Sequence, residues 1–110
     1  MDKIKIKVLD DFSYTPGVRE EIEGDDPGEK FLADVLLPKF AEALAAGKML
    51  EVDMDDVAGY PTSFLEAAFG GLVRHYKNAK LVRDNISIIS NDDPFLSEDI
   101  DEYISDALLK

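Results

Sequence analysis

The stretch from Met49 to Tyr76, MLEVDMDDVAGYPTSFLEAAFGGLVRHY, changes its hydrophobic period partway along, and that change constrains the fold more than any other feature. Leu50, Val52 and Met54 alternate with Glu51 and Asp53, the period-2 pattern of a strand from Met49 to Met54 with one buried face. Asp55 to Pro61 then gathers Asp, Gly and Pro, the chemistry of a turn. From Phe64 onward Leu65, Ala68, Phe69, Leu72, Val73 and Tyr76 recur at three- and four-residue steps, one face of an amphipathic helix. Ser63 stands three residues before Glu66, a capping-box spacing that predicts Ser63 as the helix N-cap. A strand, an acidic turn and a helix in that order predict an α/β domain with its candidate site at the junction.

The flanking segments extend this plan. Lys3 to Val8 alternates strictly, with Ile4, Ile6 and Val8 on one side and Lys3, Lys5 and Lys7 on the other, a strand with one wet face. Tyr14 to Gly17 holds a Thr-Pro-Gly turn signal, and Val18 to Ile22 is expected as a short strand paired back on the first. Asp26, Pro27 and Glu29 mark a helix start. Its stripe of Leu32, Leu36, Phe40 and Leu44 is interrupted by Pro38, which predicts a kink or two helices meeting near Leu37. Gly47 is the expected stop. Arg83 to Ser90 reads as a further strand, and Asp92-Asp93-Pro94 as a turn. Leu96, Ile100, Tyr103, Ile104, Ala107 and Leu108 form the stripe of a last helix, with Ser97 near its cap. Residues 1–110 read as a single domain. Lysines on the first strand and Glu51 and Asp53 on the central one would pair across neighbouring strands, and a sheet buried on both faces would not tolerate them. The expectation is a mixed sheet of about four strands with helices packed on one face.

Charge bounds the function. The formal net charge of -12 argues against nucleic acid and against anionic membranes, both of which need a basic surface. From Asp92 to Asp106 the chain carries Asp92, Asp93, Glu98, Asp99, Asp101, Glu102 and Asp106 and no Lys or Arg, a solvated face or one that attracts basic partners. With no cysteine there is neither a disulfide framework nor a thiolate metal site. No apolar run is long enough to span a bilayer, and the N-terminus enters strand-like alternation directly, so a soluble cytoplasmic protein is expected.

Several residues carry candidate chemistry. Asp53, Asp55 and Asp56 sit where a strand meets a turn, and an acidic cluster can hold Mg²⁺, as a phosphoacceptor or small enzyme would require. The plainer reading puts Asp53 on the wet sheet face and Asp55 and Asp56 in the turn. An acidic pocket of receiver type, built from Asp10, Asp11 and Asp53, would need a lysine after the last strand, where Asn91 and Asp92 stand instead. His75, beside Arg74 and Lys77, reads as a surface residue near a helix end. Gly70-Gly71 within a helix predicts close packing against another backbone. Thr62 and Ser63 are the most informative pair, because a hydroxyl at a helix start is also where an added phosphate meets free N–H groups. A subunit that only assembles with itself is a third class compatible with the pattern. No cofactor is expected.

LEVDMDDVAGYPTSFLEAAFGGL resembles the signature of the STAS-like domains of unknown function, distant relatives of the STAS domains of anti-sigma-factor antagonists. The resembling elements are Val52-Asp53, Val57, Ser63-Phe64, Phe69-Gly70 and Leu72. Pro61, Thr62, Ser63 and Phe64 occupy the positions of the antagonists' Asp-Ser-Ser-Gly motif, and Ser63 aligns with their phosphorylated serine. The resemblance implies a bacterial, non-enzymatic regulatory module. It also implies a protein partner such as a histidine-kinase-like ATPase of anti-sigma type, docking on Gly59, Tyr60, Thr62, Ser63 and Phe64. Tyr60 and Phe64 are the aromatic anchors of that surface if they are exposed.

Overall fold

The computed structural model describes residues 3–16 and 26–109. Three strands, β1 (Ile4–Lys7), β2 (Leu50–Asp53) and β3 (Ile86–Ile89), form one parallel sheet in the order β1-β2-β3. The fourth strand expected at Val18 to Ile22 lies outside the described residues, so the described sheet is three-stranded and wholly parallel. Both crossovers step the same way across the sheet. Right-handed crossover geometry therefore carries both connections over one face.

Registry sorts the side chains. Ile6, Leu50 and Val52 are fully buried under the helices. Lys5 pairs in register with Glu51, and Lys7 with Asp53, on the opposite face. Lys3 Nζ reaches Glu51 Oε1 at 3.2 Å, and Lys7 Nζ reaches Asp56 Oδ2 at 3.8 Å. The expected pairing of lysines with acids across neighbouring strands is thus present at Lys3 and Glu51, whereas Lys7 reaches past Asp53 to Asp56 in the loop. The first strand ends one residue early, because Val8 turns into a short helix, α1 (Val8–Asp11), whose Asp11 Oδ2 accepts the Lys7 N–H at 2.8 Å.

The connection to β2 is a single helical path in three parts: α2 (Pro27–Phe31), a π-helical segment (Leu32–Leu36) and α3 (Leu37–Ala46). Asp26 caps it, its carboxylate accepting from Gly28 N and Glu29 N, and Gly47 ends it in the left-handed region. The wide π turn lies immediately before Pro38, whose ring would collide with the Asp34 carbonyl in a regular α-helix. The break expected near Leu37 is therefore a change of helical pitch in an otherwise unbroken path.

The second connection runs through α4 (Thr62–Leu65), a second π-helical segment (Glu66–Gly70), α5 (Gly71–Tyr76) and α6 (Ala79–Asn85). The sequence reading missed α6 and assigned Arg83 to Asn85 to a strand. Asn78 starts this helix by accepting from Leu81 N at 3.0 Å, and Asn85 Nδ2 closes it on the Leu81 carbonyl. Helix α7 (Leu96–Asp106) follows β3 and buries Leu96, Ile100 and Ile104.

The two helical paths meet where side chains are smallest. A Cβ on Gly28 would stand 2.7 Å from the Phe64 carbonyl oxygen and 2.8 Å from Ala67 Cβ. A Cβ on Gly71 would meet Leu32 Cδ2 at 2.7 Å. Close packing against another backbone was expected at Gly70-Gly71, but there the neighbours are the side chains of Glu66, Arg74 and Leu32, and the backbone approach is at Gly28. Gly28→Ala is therefore expected to lose about 1–3 kcal/mol of stability, because a backbone oxygen cannot move aside. Urea denaturation checks this; the gain of about 1 kcal/mol that Ala brings to an open helix position would contradict it.

Candidate functional site

The carboxyl ends of β2 and β3 lie side by side, the region where parallel α/β sheets place their sites. Met54 N–H extends the ladder by donating to the Ile89 carbonyl at 2.8 Å. The chain then turns inward at Asp55, which is 8% exposed and is the buried charged residue of the described core. Its Oδ1 accepts the Asp92 N–H at 2.8 Å and its Oδ2 accepts Asn91 Nδ2 at 2.9 Å. In return Asp56 N–H donates to Asp92 Oδ2 at 2.8 Å, with Asp56 in the left-handed region at φ 68°. Asp53 Oδ1 accepts the Asp55 N–H at 3.0 Å. Backbone amides and carboxylates thus clasp the two loops together. The Asp92 N–H is the chief reason the Asp55 carboxyl is held below its usual proton affinity, against the opposing effect of burial.

The remainder of the loop is fixed by one phenol and a group of rings. Tyr60 Oη donates to the Met54 carbonyl at 2.9 Å. Burial, reinforced by Asp53, Asp55 and Asp92, pushes the Tyr60 phenol far up, so it remains a donor. The Tyr60 ring lies 5.6 Å from Phe64, which packs 5.5 Å from Phe31 and 6.1 Å from Phe12. Phe64 is 2% exposed, so it is a core residue and not an exposed anchor; Tyr60 is half-buried with its hydroxyl engaged. Behind Gly59 and Tyr60 a cavity of about 210 Å³ extends to Ser90, Asp92, Asp93 and Leu96.

Gly59, Pro61, Thr62 and Ser63 are exposed. Ser63 is not the N-cap. Pro61 holds that position in extended geometry, with no side-chain cap bond, and Ser63 is the second residue of the helix. Proline favours this: its φ of -63° suits the entry and it has no N–H to satisfy. The Glu66 carboxylate makes a two-pronged contact with Arg74, at 2.7 and 2.9 Å, passing over Gly70, where a side chain would obstruct it.

The other candidates separate. Asp53, Asp55 and Asp56 are brought together, but as turn and clasp, and among the described residues no group of three or more His, Asp or Glu is arranged to hold a metal ion. His75 is exposed on α5, roughly 18 Å along the helix from Ser63 at 1.5 Å per residue. The residues that sequence reasoning missed are Asn91 and Asp92 as partners of Asp55. Their signal was the matching acidic run after each strand, Asp53 to Asp56 and Asn91 to Asp93.

A parallel α/β domain with an exposed hydroxyl pair at the helix start after its central strand is what this geometry defines. The chain belongs to the family of the STAS-like domain of unknown function, whose model matches residues 28–95. That span includes β2, the clasp and the helix start. No curated protein and no solved structure matches the chain. Among the described residues no helix is long and apolar enough to cross a membrane.

The clasp gives a pH signature. Because the folded Asp55 binds its proton more weakly than the unfolded chain does, its stabilisation is present above the ordinary carboxylate range and is lost as pH falls below about 4. Asp55→Asn is expected to cost about 1–3 kcal/mol near neutral pH, since the Asp92 N–H loses a charged acceptor. The gap from wild type should narrow as pH falls below about 4. Denaturation at stepped pH checks it; a gap that stays constant down to pH ~3 would contradict the assignment.

Proposed function

We propose that this STAS-like domain is a non-enzymatic regulatory module that binds a protein partner through Gly59, Tyr60, Thr62 and Ser63, and that Ser63 is its switch. The observation that carries the reading is the exposure of Thr62 and Ser63 on the first helical turn, on a loop held rigid by the Asp55 clasp and by the rings around Phe64. Such pre-ordering lowers the entropic cost of docking. Phe64 stands where the antagonists carry glycine, yet it points into the core and leaves the surface open to close approach. The partner class is a histidine-kinase-like ATPase of anti-sigma type, by analogy with the antagonists that the signature resembles.

A phosphate on Ser63 would add about -1.5 to -2 charges. It would lie one helical turn from Glu66 and close in sequence to the acidic loop, so the local potential would change while the buried contacts of Phe64 and Leu65 would not. Binding would be turned off at the surface, without unfolding. The competing phosphoacceptor reading needs Asp53, Asp55 and Asp56 to converge on a cation, and the engagement of Asp55 by Asn91 and Asp92 speaks against it.

Calorimetric titration with purified ATPases of the anti-sigma class is the test. Ser63→Asp is expected to weaken binding by about tenfold, roughly 1.4 kcal/mol, with its melting midpoint near wild type. Because Pro61 and not Ser63 caps the helix, Ser63→Ala should change stability by no more than about 0.5 kcal/mol and keep binding. Equal binding by Ser63→Asp and wild type would overturn the switch.

A further inference from the structure

The two edges of the described sheet are built differently. Edge strands offer unpaired backbone groups, and proteins commonly guard them with lysine, proline or a bulge. Of the described strands, the outer strand β1 carries Lys5 and Lys7 and is preceded by Lys3. The other outer strand, β3, reads Ile-Ser-Ile-Ile, with no charge or proline and every residue half-buried. Its pairing shows which groups are open. The Ile89 carbonyl accepts from the N–H of Met54, the residue just past β2, so the backbone groups of Ile89 turn inward. Alternation turns the N–H and C=O of Ile86 and Ile88 outward, where no strand among the described residues pairs with them.

Beside that edge runs a groove of about 420 Å³ between β3 and α7. Ile86 and Ile88 lie on its strand side, and Ser97, Glu98 and Asp101 on its helix side. Arg83 closes one end by donating to Asp101 Oδ1 at 3.1 Å and to Ser105. Glu98, which is exposed, also lines the groove, and Asp99, Glu102 and Asp106 stand on the same helix, so the field there is negative even with Arg83 on Asp101.

We infer that β3 and this groove form a second docking surface, which takes an extended basic peptide segment of a protein partner as an added strand. Main-chain bonds to Ile86 and Ile88 would supply the affinity. Basic side chains at alternate positions would point into the groove and reach Glu98, and the apolar ones between them would lie on the other face of the sheet, beside Ser87 and Ile89. A second copy of the chain is the poorer occupant, because Lys3 and Lys7 beside its own outer strand β1 are already engaged by Glu51 and Asp56, and each copy brings a net charge of -12. This surface is separate from the Ser63 loop and does not depend on its role.

The test uses the full chain, ¹⁵N-labelled, with a synthetic octapeptide of alternating Val and Lys and a control of alternating Val and Glu. The Val–Lys peptide is expected to shift the amides from Ile86 to Ser90, to slow exchange of the Ile88 amide by at least about tenfold, and to lose affinity as salt is raised. Glu98→Gln and Glu98→Lys should weaken it progressively, with the melting midpoint near that of the wild type. The inference is overturned by equal binding of the two peptides, by shifts that map elsewhere, by an Ile88 amide already protected in the free chain, or by a concentration-dependent dimer that protects it.

Discussion

Burying a carboxylate is costly unless its oxygens are met by donors, and Asp55 is the place where this protein accepts that cost. One oxygen takes a backbone amide and the other a side-chain amide, both from the loop that follows a different strand. The consequence is mechanical. The loop after β2 cannot move without breaking a charge-assisted bond to the loop after β3, and Asp56 returns the bond through Asp92. Everything on the candidate surface hangs from this tie: Tyr60 closes on the Met54 carbonyl one residue before Asp55, and Pro61 then launches the helix that displays Thr62 and Ser63.

The helices answer to the same surface from below. Gly28 lets the start of α2 sit directly on the backbone at Phe64, and Phe31 stacks beside the Phe64 ring. The exposed turn therefore rests on a support with no slack in it. Two π-helical segments lie in the paths that form this support, one before Pro38 and one leading into Gly70 and Gly71. At the first, the wide turn accommodates a ring that a regular helix would reject. At the second, Gly70 leaves room for the Glu66–Arg74 pair to cross the helix surface.

Local signals were legible in the sequence and non-local ones were not. The Asp26 cap, the Gly47 stop and the alternation around Val52 each depend on residues close in the chain and each is present, while the break expected before Pro38 is a change of helical pitch. Helix α6 escaped because its start rests on Asn78 alone and its seven residues are too few to establish a period. Ser63 looked like a cap because of its spacing to Glu66, but Pro61 begins the helix earlier and Glu66 engages Arg74. The burial of Asp55 had no local signature, since its partners lie 36 and 37 residues away. The inward aim of Phe64 likewise depends on Phe12 and Phe31, which only the fold brings near. What the sequence offered for function was the family signature, and the family's role is not contained in the fold alone.

On the proposed function, a phosphate on Ser63 changes the charge of this surface while the fold beneath it stays as it is. The most direct measurement is the amide spectrum of a chain synthesised with phosphoserine at position 63, set against the unmodified chain. The expected shifts are confined to Gly59 through Ala67, with Leu50, Val52, Phe69 and Leu72 in the core unmoved. Shifts that spread through those core residues, or a collapse of dispersion, would contradict it.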